Sequence, residues 1–74
     1  MITIKGSELI KTIRTQLGLT QEEFAHAISS TLTTVNRWEN EKSTPNRMAR
    51  TLIADFCEKQ GIEKDLIDAV KNIR

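Results

Sequence analysis

The chain has 74 residues, of which 38% are hydrophobic, and its formal net charge is +1. This length allows one domain, residues 1–74, built around a single apolar centre, and it is too short for a deep catalytic cleft, so an enzyme is disfavoured. A net charge near zero is weak for a nucleic-acid binder, and the distribution of charge therefore matters more than its sum.

The first predicted helix begins near Ser7 and ends at Gly18. Residues 1–5 alternate apolar and polar side chains and are consistent with a short flexible arm. Ser7 is a suitable N-cap, and Gly18 tolerates the positive φ of a helix end. Between them, four apolar residues recur at helical spacing: Leu9, Ile10, Ile13 and Leu17.

The second predicted helix is short and begins at a capping box. Thr20 and Glu23 are three residues apart, so the hydroxyl and the carboxylate can each bind a backbone amide of the first turn. The predicted inward face of this helix carries Phe24, Ala27 and Ile28.

A third helix follows with almost no chain between. Thr31 can cap it, and Val35 and Trp38 are three residues apart on one side. Two short capped helices joined in this way are typical of a helix-turn-helix, which places its second helix in the major groove of DNA. The other faces of the third helix carry residues of poor helix propensity or of polar character, which indicates selection for something other than stability: Leu32, Thr33, Asn36 and Arg37.

Two more helices are predicted in the remainder of the chain. The fourth is expected to begin at Thr44-Pro45, with proline in its first position, and to end at Gly61. Its predicted inward residues are Met48, Leu52, Ile53 and Phe56.

The last helix is expected over residues 62–73, where apolar residues recur between charges. These residues either cover the core of the monomer or form a dimer contact, which we favour, through Leu66, Ile67, Val70 and Ile73. Five helices with local contacts predict an all-α domain.

Charge is divided unevenly along the chain. Residues 1–51 contain seven Lys and Arg against five Asp and Glu, whereas residues 52–74 contain four against five. The basic side chains cluster at and after the third helix, as Arg37, Lys42, Arg47 and Arg50. The basic part of the chain, within residues 1–51, is therefore expected to face phosphates.

The chain resembles the phage repressor and Cro-type helix-turn-helix family, also called the xenobiotic response element family. The likeness covers roughly residues 9–56 and is clearest in residues 17–23 and 37–40. The matching positions are Gln21, Ala25, Ile28, Val35, Trp38, Glu39 and Asn40. The resemblance implies a compact five-helix, lambda-repressor-like fold with the helix-turn-helix at the second and third helices.

Functional positions can be carried over from the family residue by residue. The resemblance implies base contacts from the third helix, at Leu32, Thr33, Asn36 and Arg37. It implies contacts with the DNA backbone at Thr20, Gln21, Thr31, Asn40, Lys42, Ser43 and Arg47. It also implies an ion pair between Arg14 and Glu39 that holds the first helix to the third and touches DNA only indirectly.

The chain departs from the family at two positions. Ser29 stands in the turn where the family usually has glycine, and a positive φ there would cost about 1 kcal/mol. Glu41 stands at a second position that favours glycine, where a carboxylate beside phosphates weakens binding. We expect the neighbouring Asn40 to take the left-handed conformation instead.

Several residues have a simpler interpretation beside the functional one. Trp38 is expected in the core rather than stacked on bases, and Cys57 as a small half-buried hydrophobe rather than a reactive thiol. One cysteine and one histidine, His26, cannot assemble a zinc site, so no metal or cofactor is expected. The polar face of the third helix could also be an ordinary solvated surface.

The favoured function is a sequence-specific, double-stranded DNA-binding transcriptional regulator that acts as a homodimer on a palindromic site. The alternative is an antitoxin or accessory protein-interaction module that uses the same fold to bind a toxin or regulator. The near-zero charge and Glu41 favour this alternative. No signal peptide or membrane span is recognisable, so we expect a cytoplasmic protein without a membrane partner.

Overall fold

Five α-helices account for most of residues 4–73, the part of the chain that this computed structural model describes. They are α1 Gly6–Gln16, α2 Gln21–Ala27, α3 Leu32–Glu39, α4 Arg47–Lys59 and α5 Lys64–Lys71, and these residues contain no strand. The predicted all-α class and the number of helices are confirmed. Of the expected N-terminal arm, residues 1–3 lie outside the described residues, and Ile4 and Lys5 are exposed ahead of α1.

One apolar core receives side chains from every helix. Ile13 of α1, Phe24 of α2, Val35 of α3, Ile53 of α4 and Val70 of α5 are each fully buried. Each such side chain contributes about 1.5–3 kcal/mol through removal of apolar surface from water. The helices therefore depend on one another rather than on their own propensities.

The starts of α2 and α3 follow the predicted capping. The Thr20 hydroxyl accepts a hydrogen bond from the Glu23 backbone amide at 3.1 Å, and the Glu23 carboxylate accepts one from the Thr20 amide at 2.8 Å. The Thr31 hydroxyl accepts one from the Thr34 amide at 3.2 Å. Both predicted caps are confirmed.

The starts of α1 and α4 differ from the prediction. Ser7 does not cap α1, because the backbone is already helical at Gly6 and Lys5 occupies the N-cap position. Pro45 does not open α4, because the next residue, Asn46, is a better cap: its side-chain oxygen accepts from the Ala49 amide at 2.8 Å.

The ends of α2 and α3 require a left-handed residue. The Ser30 amide donates to the Ala25 carbonyl at 2.7 Å, and the Lys42 amide donates to the Arg37 carbonyl at 2.9 Å. Each closure places the preceding residue at positive φ, which is 57° for Ser29 and 60° for Glu41.

The expectation that Asn40 takes this conformation is wrong. Its φ is −104°, because α3 ends at Glu39. The hydrogen bond from the Lys42 amide to the Arg37 carbonyl, which closes the end of the helix, then requires the positive φ at Glu41. At the corresponding positions after α1 and α4 the chain has glycine, Gly18 and Gly61. The two strained closures therefore both flank α3.

The inward faces of α2 and α4 are rotated from the prediction. Ala27 is exposed and Ala25 is buried. On α4, Met48 is 73% exposed and Leu52 is 40% exposed. The face that meets the core is instead formed by Ile53, Ala54 and Cys57, with Phe56 partly buried. Met48 and Leu52 are four residues apart, so they share a side of α4, and that side is turned away from the core.

The C-terminal helix covers the core. It begins at Lys64, two residues later than predicted, and three of its apolar side chains, together with Ile73 beyond its end, are at most 8% exposed. These are Leu66, Ile67, Val70 and Ile73. Their burial agrees with the alternative that the last helix covers the core of the monomer, and the dimer contact through them stays a prediction.

Cys57 is enclosed more deeply than predicted. Its side chain is fully buried on α4, and burial raises the pKa of the thiol to about 11. A thiol in this environment stays protonated at neutral pH and behaves as a small apolar side chain.

Replacing Ser29 by glycine should raise the free energy of unfolding by about 1 kcal/mol, because glycine adopts a φ of 57° without a Cβ penalty. Urea unfolding followed by circular dichroism measures this change. Ser30→Gly is the matched control at a residue whose φ is not positive, and there glycine should lower stability. An equal gain at both positions would contradict the strain at Ser29.

Candidate nucleic-acid interface

Helix α3 is anchored from one side and open on the other. Val35 is fully buried and Trp38 is 4% exposed, which confirms both as core residues. The residues predicted to contact bases lie together on the opposite side of the helix: Leu32, Thr33, Asn36 and Arg37. All four are exposed, Leu32 by 45%, so this edge is available to a partner.

The ion pair implied between Arg14 and Glu39 is present. Arg14 Nε donates to Glu39 Oε2 at 2.7 Å, and its Nη2 donates to Oε1 at 3.0 Å. Arg14 Nη1 also donates to the Leu19 carbonyl at 3.0 Å. One guanidinium thus links α1, the turn before α2 and α3 in a fixed geometry.

The carboxylate of this pair is removed from water. The side chain of Glu39 is 2% exposed and that of Arg14 is 16% exposed. Burial by itself raises the pKa of Glu39, but hydrogen bonds from Arg14 and Gln21 and the charge of Arg14 outweigh it, so the pKa lies below its ordinary value. The same contact raises the pKa of Arg14. Both groups are therefore charged at neutral pH.

Gln21 connects this ion pair to the exposed edge of α3. Its Nε2 donates to Glu39 Oε1 at 3.1 Å, and its Oε1 accepts from Asn36 Nδ2 at 3.1 Å. The resemblance implies a DNA-backbone contact at Gln21, and neither of these two hydrogen bonds was predicted. The sequence pattern that points to these contacts is the spacing of Asn36 and Glu39. They are three residues apart and therefore share the side of α3 that meets α2.

The two threonines predicted to contact the backbone already use their hydroxyls within the protein. Thr20 is exposed and accepts within the capping box. Thr31 is also exposed, and its hydroxyl donates to that of Thr34 at 2.9 Å while accepting from the Thr34 amide. Both lie at helix starts, where backbone amides carry partial positive charge.

The segment after α3 carries the remaining predicted backbone contacts. Asn40, Lys42 and Arg47 are exposed and Ser43 is partly buried. The side chain of Asn40 donates to the Asn36 carbonyl at 2.8 Å and extends the last turn of α3. Arg50, counted with the basic residues in the sequence, is turned inward.

Two charged side chains near this segment, Arg50 and Glu41, contact other groups of the same chain. Arg50 Nη1 donates to the Ile73 carbonyl at 3.0 Å, which fixes the C-terminal end of the described chain. Glu41 lies 3.4 Å from the ammonium of Lys5, and both side chains are more than half exposed. The acidic residue among the predicted phosphate contacts therefore has a basic neighbour.

Comparison with protein families identifies this arrangement. A family model described as helix-turn-helix matches residues 10–60, which is more than half of the chain. The chain belongs to this helix-turn-helix family. The match agrees with the resemblance to phage repressor and Cro-type proteins and with a lambda-repressor-like fold. Comparisons with curated proteins and with solved structures found no match.

Membership of this helix-turn-helix family supports DNA binding by a regulator and is typical of proteins that are not enzymes. Among residues 4–73, no helix is long and apolar enough to cross a membrane. The same residues hold no group of three or more His, Cys, Asp and Glu side chains that could bind a metal ion.

Replacing Arg14 by methionine should lower the free energy of unfolding by about 3 kcal/mol at neutral pH, because it leaves the Glu39 carboxylate buried without its partner. Since the native pKa of Glu39 is lowered, the contribution of the pair is complete above about pH 4.3, the ordinary value, and is lost as the pH falls through the native value. Denaturant unfolding at several pH values should show the two proteins converging on acidification.

Arg14→Lys keeps the charge but not the paired contact, and should give an intermediate loss. Lys5→Met is the matched control, since it breaks the exposed pair with Glu41 and should change stability by less than about 1 kcal/mol. A constant difference between wild type and Arg14→Met at all pH values would contradict the assigned role of Glu39.

Proposed function

We propose that this protein is a sequence-specific regulator of transcription of the Cro and phage-repressor type, which reads the major groove of double-stranded DNA with α3. The observation that carries the proposal is the exposed edge of α3. Leu32, Thr33, Asn36 and Arg37 lie on it, contain no acidic group, and are held outward by the buried pair Val35 and Trp38.

The chemistry of this edge matches what base edges offer. An asparagine amide can pair with adenine through two hydrogen bonds, and an arginine guanidinium can do the same with guanine. Leu32 and the methyl group of Thr33 can contact the methyl group of thymine. Sequence preference at three or four adjacent base pairs is therefore the expected result.

The flanking segments supply the contacts that do not depend on sequence. Lys42 and Arg47 are exposed after α3, and the backbone amides at the start of α2, beside Thr20, can bind a phosphate. These contacts would fix the position of α3 on the duplex and make the affinity depend on salt.

Selection of bound duplexes from a random pool, followed by affinity measurements at several salt concentrations, tests this function. We expect one enriched sequence and an affinity that falls with salt by a slope of about −0.9 for each phosphate contacted. Failure to enrich any sequence, together with no salt-dependent binding to any duplex, would rule the function out.

Substitutions should separate the two kinds of contact. Asn36→Ala or Arg37→Ala should cost about 1–3 kcal/mol on the selected duplex and relax the preference at particular base pairs. Lys42→Ala or Arg47→Ala should weaken all duplexes equally and make the salt slope shallower by about one. Fluorescence anisotropy with the selected duplex and a scrambled duplex measures both effects.

Lys71→Ala removes an exposed positive charge from α5 and is the matched control for the phosphate contacts. It should leave the salt slope unchanged. Equal losses on selected and scrambled duplexes for Asn36→Ala and Arg37→Ala would show that these side chains do not read bases.

We further propose that two copies bind one palindromic site, since a two-fold pair of domains places its reading helices about one helical turn apart. The apolar side chains of α5 are buried in the monomer, so we expect an exposed surface to form this contact. Sedimentation of the complex with a palindromic selected duplex should give two chains for each duplex, and a duplex with one half-site scrambled should bind more weakly. One chain on the intact palindrome would exclude the homodimer.

A protein partner is the second candidate, as an antitoxin or accessory factor would have. The observation that favours it is the exposed apolar surface of α4, where Met48 and Leu52 border a shallow pocket with Ile28 and Trp38. If no duplex binds, this candidate replaces the first; Met48→Ser should then weaken the complex with a captured partner without lowering stability.

A further inference from the structure

A continuous series of hydrogen bonds runs from the buried ion pair to the exposed edge of α3. Arg14 holds the carboxylate of Glu39, Glu39 accepts from Gln21, and Gln21 accepts from Asn36. Each donor–acceptor distance between the side chains is between 2.7 and 3.1 Å. The last member, Asn36, belongs to the edge that the proposed function assigns to base contacts.

The chemistry of Glu39 fixes the direction of every bond in this series. An ionised carboxylate only accepts hydrogen bonds, so the neighbouring Gln21 must turn its NH₂ group toward it. The carbonyl oxygen of Gln21 then faces Asn36, which must offer its own NH₂ group in return. The two ends of the Asn36 amide are therefore not interchangeable, although an isolated exposed amide could rotate freely.

We propose that Gln21 is a positioning residue that orients the Asn36 amide so that it recognises adenine. With one N–H bound to Gln21, Asn36 retains its oxygen and a second N–H for a partner. These are the acceptor and donor that match the N6 amino group and N7 of adenine in the major groove. The proposal rests on the proposed function and adds the identity of one base in each half-site.

The same contacts remove Gln21 from the role that the family resemblance gave it. Its carbonyl oxygen and one of its N–H groups are used inside the protein, on Asn36 and Glu39. We expect Gln21 to act on DNA through Asn36, with the backbone amides at this helix start as the phosphate donors.

Selection of duplexes with the wild type and with Asn36→Ala first identifies the base pair that Asn36 reads. We expect an A·T pair there. Gln21→Met keeps the length of the side chain but cannot donate or accept, so it should lower the preference for adenine at that pair by about tenfold and leave the other positions unchanged. In the Asn36→Ala background, Gln21→Met should have no further effect at that pair.

Gln21→Glu is a second variant that favours the start of α2, because a negative charge is stabilising in the first turn of a helix. Its carboxylate cannot donate to Glu39 but can still accept from the Asn36 amide, so the adenine preference should be retained better than in Gln21→Met. The ratio of affinities for duplexes that differ only at this base pair is the readout, since the added charge weakens all binding. Gln60→Met, the same change at the exposed end of α4, should leave the ratio unchanged.

The outcomes distinguish the two proposals. If the wild type enriches no duplex, the proposed function fails. If the wild type enriches a sequence but Gln21→Met weakens every duplex equally, Gln21 is a phosphate contact and the positioning role is overturned. Enrichment of a G·C pair at the position that depends on Asn36 would overturn the assignment of adenine.

Discussion

The contact between Arg14 and Glu39 is the constraint on which the candidate interface depends. It joins the first and third helices through two hydrogen bonds to one carboxylate, and the same guanidinium binds the carbonyl of Leu19 at the turn before α2. Because the Glu39 side chain is almost fully removed from water, the contact has one geometry rather than several. It therefore sets the angle at which α3 leaves the core, as well as the direction of the bonds through Gln21.

Helix α3 is the least self-sufficient element of the fold. Two of its outer residues, Thr33 and Asn36, have poor helix propensity, and it is bordered by Ser29 and Glu41, which have positive φ although neither is glycine. Its stability comes from Val35 and Trp38, which pack into a core supplied by the other four helices. This division leaves Leu32, Thr33 and Arg37 outside the core, where substitutions cost the fold little.

Local sequence signals predicted the helices well and their relative rotation less well. The caps at Thr20 and Thr31 were predictable because each uses only residues within one turn. The rotation of α4 was not, since Met48 and Leu52 have the same helical spacing as Ile53 and Cys57, and only packing against the other helices decides which pair turns inward. The contacts of Gln21 were missed because they cross from one helix to another: the spacing of Asn36 and Glu39 indicates a shared side of α3, but not which residue of α2 meets it.

The enclosure of Cys57 gives the protein an internal reporter of its own motions. It is the only cysteine of the chain, and it lies against residues from several helices in the one shared core. A thiol reagent can reach it only when the packing around α4 opens, so the rate of alkylation reports such openings. Slower alkylation in the presence of a duplex would then report, without any label, that the duplex stabilises the closed domain.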